Sequence, residues 1–182
     1  MKIFNKFLKH FLTIILLTAG FQSINAQLLE QYEPRPLGTV VEQLEQSNLF
    51  KSQDDIVTDL LEFAMRHQGK PYRHGATGPN AFDCSGFTFY VFKQYGITLP
   101  HSAHAQHQLG DGVERGDEQP GDLVFFGGKK NSGGRIGHVG IVVASTDDGF
   151  NFIHASCSRG IMINHSQEKY YKARYRGAKR II

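Results

Sequence analysis

Residues 82–90 read FDCSGFTFY, and they decide the fold because a loop ends and a helix begins within them. After Asp83, apolar and aromatic side chains recur at the three-and-four spacing of a helix, and Gly96 supplies a stop. Asp83 therefore falls at the predicted N-cap and Cys84 in the first helical turn. The preceding stretch, GKPYRHGATGPNAF at 69–82, is rich in Gly and Pro and is predicted to be a loop.

The flanking segments predict an α+β fold. Upstream, IVTDLLEFAMRHQ at 56–68 has helical periodicity, and Asp54 or Asp55 is the expected cap. Downstream, TLPHSAHAQHQLG at 98–110 predicts a short helix. The rest of the chain has the period of strands, with candidates DLVFF, HVGIVV, FNFIHAS, GIMIN and YRGAKRII. Helices followed by antiparallel strands indicate N-terminal helices packed on a C-terminal antiparallel β-sheet.

Residues 1–26 have the pattern of a secretory signal peptide. Three lysines precede the apolar run 11–17, and the small-residue ending SINA precedes Gln27. The apolar run is shorter than the roughly 20 residues that span a bilayer, which favours cleavage over a retained anchor. We therefore expect a periplasmic or secreted protein without a stable membrane anchor. Residues 27–53 are expected to form an arm or linker, and residues 54–182 the folded domain.

The charge balance argues against a nucleic-acid partner. The signal segment carries three of the 20 basic residues and none of the 17 acidic ones, so the mature chain has a formal charge of zero. The tight basic cluster KARYRGAKR at 172–180 is interpreted as a solubilising strand edge rather than a binding patch. Two cysteines exclude a disulfide-dense scaffold. We expect a monomer without metal or organic cofactor.

Cys84 is a candidate nucleophile because of its position. A thiol attacks only as thiolate, and the unpaired amides at a helix N-terminus favour negative charge there. This position predicts a lowered pKa for Cys84. The alternative is a small buried hydrophobe, which is the commoner role of a lone cysteine. The polar or small neighbours Asp83, Ser85 and Gly86 favour the reactive interpretation.

The candidate base comes from the predicted strands. Among nine histidines, His138 opens HVGIVV and His154 lies within FNFIHAS. Adjacent antiparallel strands would place the two imidazoles side by side, one as the base and one as the group that orients it. A zinc site built from both histidines, Cys84 and Cys157 is a rival reading, but neither cysteine belongs to a CxxC pair. Strand alternation predicts Cys157 to be a core thiol. A disulfide between Cys157 and Cys84 is the alternative.

Successive blocks of this sequence resemble the NlpC family of bacterial cell-wall cysteine peptidases. The blocks are PYRHGATGPNAFDCSGFTFYVF, LPHSAHAQ, PGDLVFFG, HVGIVV, FIHAS and YRGAKRI, and they occur in order between residues 55 and 182. The resemblance implies a papain-like domain that hydrolyses amide bonds in peptidoglycan stem peptides, usually between D-Glu and the following diamino acid. It also implies Cys84 as nucleophile, His138 as base, His154 as third polar residue and Tyr72 as a partner of the Cys84 amide in holding the oxyanion.

The same resemblance implies substrate contacts at the start of the helix. Asp83 and Ser85 match positions that line the substrate groove, where a carboxylate pairs with a stem-peptide amine. The sequence departs from the family pattern at Ala76, where glycine is usual, and at His101, where arginine is more common. The Gly-rich stretch 127–137 is long for the family and is expected to be a loop over the groove. An amidase, a cross-link endopeptidase and a non-catalytic wall-binding module remain alternatives.

Overall fold

The computed structural model describes residues 51–128 and 134–182. The predicted signal peptide, nearly all of the predicted arm and the centre of the Gly-rich stretch lie outside these residues. Within the described ranges, no helix combines the length and apolar character needed to cross a bilayer.

Helices and strands follow one another as the sequence predicts, with two additions. The helices are α1 Gln53–Met65, α2 Cys84–Lys93, α3 Ala103–Gln106 and α4 Lys169–Lys172. The strands are β1 Asp111–Val113, β2 Leu123–Gly127, β3 Ile136–Thr146, β4 Gly149–Ser156, β5 Gly160–His165 and β6 Tyr175–Arg180. The short elements β1 and α4 are not predicted from the sequence, because three or four residues are too few to establish a period.

The strands form one antiparallel sheet in the order β1-β6-β2-β3-β4-β5, which confirms the predicted fold class. The tight turn between β3 and β4 lies in the STDDG segment, where Thr146 pairs with Gly149. This hairpin fixes the register that sets His138 and His154 near each other, since Ile141 pairs with Ile153.

The two long helices begin at capped ends. Asp83 is the N-cap of α2 and accepts a hydrogen bond from the Gly86 amide, as predicted. The expected cap of α1 is wrong by a few residues, because Ser52 and not Asp54 or Asp55 is the N-cap. Asp55 instead bonds back to the Ser52 amide and completes a capping box.

Each face of the sheet carries its own apolar cluster. Helices α1 and α2 pack on one face through side chains that include Leu60, Phe87 and Val91. The opposite face carries a smaller cluster that includes Phe126, Phe152 and Tyr171. The side chains of both clusters are fully or nearly buried, so the central strands are covered on both faces of the sheet.

Gly86 lets helix α2 approach the preceding loop more closely than any larger residue would allow. A Cβ at this position would lie 2.1 Å from the backbone oxygen of Ala76. That oxygen cannot easily move, because it accepts a hydrogen bond from the Asp83 amide at 2.9 Å. The loop and the first turn of α2 are therefore locked together around Asp83.

We expect Gly86→Ala to destabilise the protein by roughly 1–3 kcal/mol, the usual effect of overpacking, and to lower the melting temperature by roughly 5 °C. Gly112→Ala is the matched control, since a Cβ on this strand glycine meets no atom within 4 Å. Thermal melts of both variants check the expectation. Equal melting temperatures for Gly86→Ala and the wild type would contradict the close contact.

Candidate active site

Cys84 is the first residue of α2 and is partly exposed. The backbone amide of Val139 is within hydrogen-bonding reach of its sulfur, so the thiol lies one residue from His138 along β3. In the described part of the chain, no hydrogen bond joins the sulfur to the His138 imidazole. The structure thus places Cys84 and His138, the candidate nucleophile and the candidate base, on neighbouring elements, with the thiol near the strand backbone.

The lowered thiol pKa that the helix position predicts is not what the structure gives. Burial and the adjacent charge of Asp83 raise the pKa of Cys84 to about 11. The amides of Val139 and Ser85 act in the opposite direction, but they do not outweigh those two effects. The resting thiol is therefore protonated at neutral pH. Its activation requires a base that takes the proton during attack.

His138 on β3 and His154 on β4 lie side by side, as the strand reading predicts. The distance from His138 Nε2 to His154 Nδ1 is 2.8 Å, and the two rings are nearly perpendicular. Both rings lie on the face of the sheet that carries Phe126 and Phe152. Burial lowers the pKa of His138 to about 3 and that of His154 to about 4, so both imidazoles are neutral at pH 7.

Two residues that sequence reasoning missed, Asn164 and Glu168, orient this pair. The ionised Glu168 carboxylate can only accept, so the Asn164 amide nitrogen donates to its two oxygens at 2.7 and 2.9 Å. Asn164 Oδ1 then faces His154 Nε2 at 2.8 Å, which assigns the proton to that nitrogen. His154 Nδ1 is left as an acceptor, and it takes the hydrogen bond from His138 Nε2–H.

This hydrogen-bond chain leaves Nδ1 of neutral His138 without a proton. The ring is therefore held in the tautomer of a general base, with its free nitrogen available to a nucleophile. Tyr171 closes the chain at its side, since its hydroxyl lies 3.2 Å from His154 Nε2 and donates to Asn164 Oδ1 at 3.3 Å. The local sequence does not predict that Asn164 orients His154, because this contact depends on the pairing of β4 with β5.

Asp83 and Ser85 do not line an open groove. Both are only 6% exposed. The Asp83 carboxylate accepts hydrogen bonds from the amides of Gly75 and Gly86 and from the Ser85 hydroxyl, and it contacts His101 Nε2 through both oxygens at 2.9 and 3.0 Å. Both carboxylate oxygens therefore have partners within the protein. Both residues thus join the loop to the first turn of α2, and their contact with substrate stays a prediction.

The same contacts set the charge of Asp83. Burial alone would raise its pKa, but the donors from Gly86, His101 and Gly75 hold the pKa below its ordinary value. Asp83 is therefore anionic. His101, which sequence reasoning did not single out as a site residue, is the side chain that faces this charge.

Tyr72 lies near Cys84 and Asp83, and its role in holding the oxyanion stays a prediction. Its hydroxyl is close to the thiol of Cys157, and it is near enough to Cys84 and Asp83 for their charges to act on it. Burial and these neighbours raise the pKa of Tyr72, so it stays protonated and can donate. The core position predicted for Cys157 is wrong. Strand β4 ends at Ser156, and Cys157 is an exposed free thiol in the following turn.

The four groups of the zinc alternative do not converge on one point. Both ring nitrogens of His154 are engaged by His138 and Asn164. Within the residues that the structure describes, no group of three or more His, Cys, Asp or Glu side chains is arranged to hold a metal ion.

Comparisons with known proteins agree on one family. Residues 69–180 match the NlpC/P60 family model. The murein DD-endopeptidase MepS/murein LD-carboxypeptidase of Escherichia coli K12 is 35% identical over 148 residues, which are 76% of this chain and 74% of that protein. The probable endopeptidase p60 of Listeria seeligeri is 49% identical over 86 residues, 47% of this chain but only 16% of that protein.

A solved structure supports the fold assignment. The crystal structure of an NlpC/P60 family protein from Bacillus cereus superimposes with a TM-score of 0.62 at 32% sequence identity. The match covers 69% of this chain and 40% of that chain.

The buried histidine pair predicts acid sensitivity. An unfolded histidine has an ordinary pKa of 6.5, whereas His138 and His154 titrate near 3 and 4 in the folded protein. Between these values the unfolded state binds more protons, so stability falls as the pH decreases from about 6.5 to about 4. We expect a lower melting temperature at pH 5.0 than at pH 7.5.

His154→Gln removes one of these titrating groups, so it should reduce this decrease in melting temperature by roughly 3 °C or more. The matched control is His74→Gln, at an exposed position. Thermal melts at the two pH values check both variants. A decrease in His154→Gln as large as in the wild type would show that the pair does not carry the effect.

Proposed function

We propose that this chain, which belongs to the NlpC/P60 family, is a cysteine endopeptidase acting on peptidoglycan stem peptides. Cys84 is the proposed nucleophile, His138 the base and His154 the orienting residue. The bond that we assign is the amide between D-Glu and the diamino acid that follows. Export to the periplasm or the cell exterior is part of the same proposal, since the substrate lies there.

The main support for this proposal is the hydrogen-bond chain from Glu168 to His138, which leaves Nδ1 of His138 unprotonated. A wall-binding module has no need of an imidazole fixed in the basic tautomer. The Cys84 sulfur is within hydrogen-bonding reach of the Val139 amide, which directly follows His138 in β3, and this proximity supports the pairing of thiol and base. Hydrogen bonds of this kind are often long or absent in an empty site and form when substrate binds.

The proposed reaction follows from these positions. His138 Nδ1 takes the proton of the Cys84 thiol as the sulfur attacks the carbonyl carbon of the scissile amide. The carbonyl oxygen becomes an oxyanion, for which the Cys84 amide at the start of α2 and the Tyr72 hydroxyl are the proposed donors. The imidazolium then gives its proton to the departing amine and leaves an acyl-thioester. Water, deprotonated by His138, hydrolyses the thioester and regenerates the thiol.

A second candidate is cleavage of a cross-link. The name of the E. coli relative, murein DD-endopeptidase, supports it, because the match covers about three quarters of both chains. The chemistry at Cys84 and His138 would be the same, and only the peptide that occupies the groove would differ.

Digestion of defined muropeptides, followed by mass analysis, tests the proposal and separates the two bonds. We expect stem peptides to be split between D-Glu and the diamino acid. Products separated at the cross-link would favour the second candidate. Cys84→Ser keeps the volume and removes the reactive thiol, so it should be folded and inactive. Turnover by this variant at the native rate would overturn the assignment of the nucleophile.

Substitution of His154 tests how the base is held. His154→Ala removes the acceptor of the His138 Nε2–H bond and lets the ring turn, so we expect kcat/KM to fall by roughly 10² or more. His154→Asn and His154→Gln keep a carbonyl oxygen near that position and should lose less. The measurement is kcat/KM on one stem peptide, with melting temperatures to verify folding. Wild-type activity in His154→Ala would mean that another group orients the base.

A further inference from the structure

A cavity of about 580 Å³ opens beside the histidine pair. His138 and His154 form part of its wall, and Cys84 is not among the lining residues. The cavity therefore extends from the base away from the nucleophile. Arg159 and Tyr170 line it as well, and neither has a part in the proposed chemistry.

Arg159 is an exposed cation at the edge of this cavity. Among the residues that the structure describes, its guanidinium makes no hydrogen bond and no ion pair. The nearby carboxylate of Glu168 is occupied, since it accepts from the Asn164 side chain and from the His165 amide. The charge of Arg159 nevertheless acts on both Glu168 and His154, which shows that it lies near them.

The backbone that carries Arg159 is fixed. The next residue, Gly160, has φ of 73°, and a Cβ there would lie 2.2 Å from the backbone oxygen of Lys70. The Ile161 amide donates to that same oxygen at 2.9 Å, and the Gly69 amide donates to the Ile161 oxygen at 2.9 Å. The turn between β4 and β5 is therefore pinned to the segment that follows α1, and Arg159 is presented at a defined place.

The proposed proton transfer by His138 determines which half of a substrate faces this cavity. After attack, His138 must deliver its proton to the departing amine, so the amine-side half of the peptide lies over the imidazole. The acyl half remains with the sulfur and the start of α2. A cavity that includes His138 and excludes Cys84 is thus the place of the leaving half.

We infer that Arg159 binds a carboxylate of the residue that supplies the departing amine. This inference rests on the proposed function, in which that residue is the diamino acid of a stem peptide. A planar guanidinium suits a carboxylate because it can form two parallel hydrogen bonds. The enzyme should therefore prefer stem peptides in which the diamino acid carries a free carboxylate over those in which it is amidated.

The test compares two stem tripeptides that differ only in whether the carboxyl groups of the diamino acid are free or amidated. We expect wild-type kcat/KM to be roughly tenfold to a hundredfold higher for the free acid. Arg159→Gln should lower kcat/KM for the free acid by that factor and leave the amide unchanged, so the preference disappears. Arg159→Lys keeps the charge without the planar pair of donors and should fall between. Arg115→Gln, the same change at an exposed arginine that does not line this cavity, should behave as wild type.

The outcomes separate this inference from the function on which it rests. Equal wild-type rates on both tripeptides, or an equal loss on both in Arg159→Gln, would overturn the role of Arg159 and leave the peptidase assignment intact. Cleavage of neither tripeptide by the wild type, under conditions in which the protein is folded, would overturn the proposed stem-peptide function itself.

Discussion

The buried carboxylate of Asp83 is the constraint on which the site depends. It joins the loop at Gly75, the first turn of α2 and the side chain of His101, and each contact is a hydrogen bond to one anionic group. A buried charge without such partners would be strongly destabilising, so the three segments must come together for the carboxylate to remain ionised. The position of Cys84 follows directly, because it is the next residue and begins the helix that Asp83 caps.

This constraint has a consequence for reactivity. A carboxylate beside a thiol opposes formation of the thiolate, and burial adds to the effect. The positive end of α2 does not outweigh these two effects. A thiol in this setting needs a neighbouring base in order to attack, and the hydrogen-bond chain of His154, Asn164 and Glu168 leads to His138, the candidate base.

Much of this arrangement could be predicted from the sequence, and the parts that could not share a physical cause. Local patterns predicted Cys84 at a helix start and His138 and His154 on strands, because helix caps and strand periodicity depend on residues that are close in the sequence. Asn164 and Glu168 were missed because their role depends on the register between β4 and β5 and on the turn into α4. Cys157 was misplaced because alternation was extended one residue beyond the end of β4, where the chain turns into solvent.

Two opposite charges, Glu168 and Arg159, line the cavity beside the histidine pair, and their balance bears on how a substrate would act. Glu168 reaches His138 only through Asn164 and His154, so it stabilises an imidazolium indirectly. Arg159 has the opposite effect, because its charge disfavours protonation of His154. On the inference drawn above, a substrate carboxylate bound to Arg159 would neutralise that charge and leave the field of Glu168 unopposed. Binding of the leaving half would then make a positive charge on the histidine pair less unfavourable, which couples recognition of the substrate to the proposed proton transfer from Cys84.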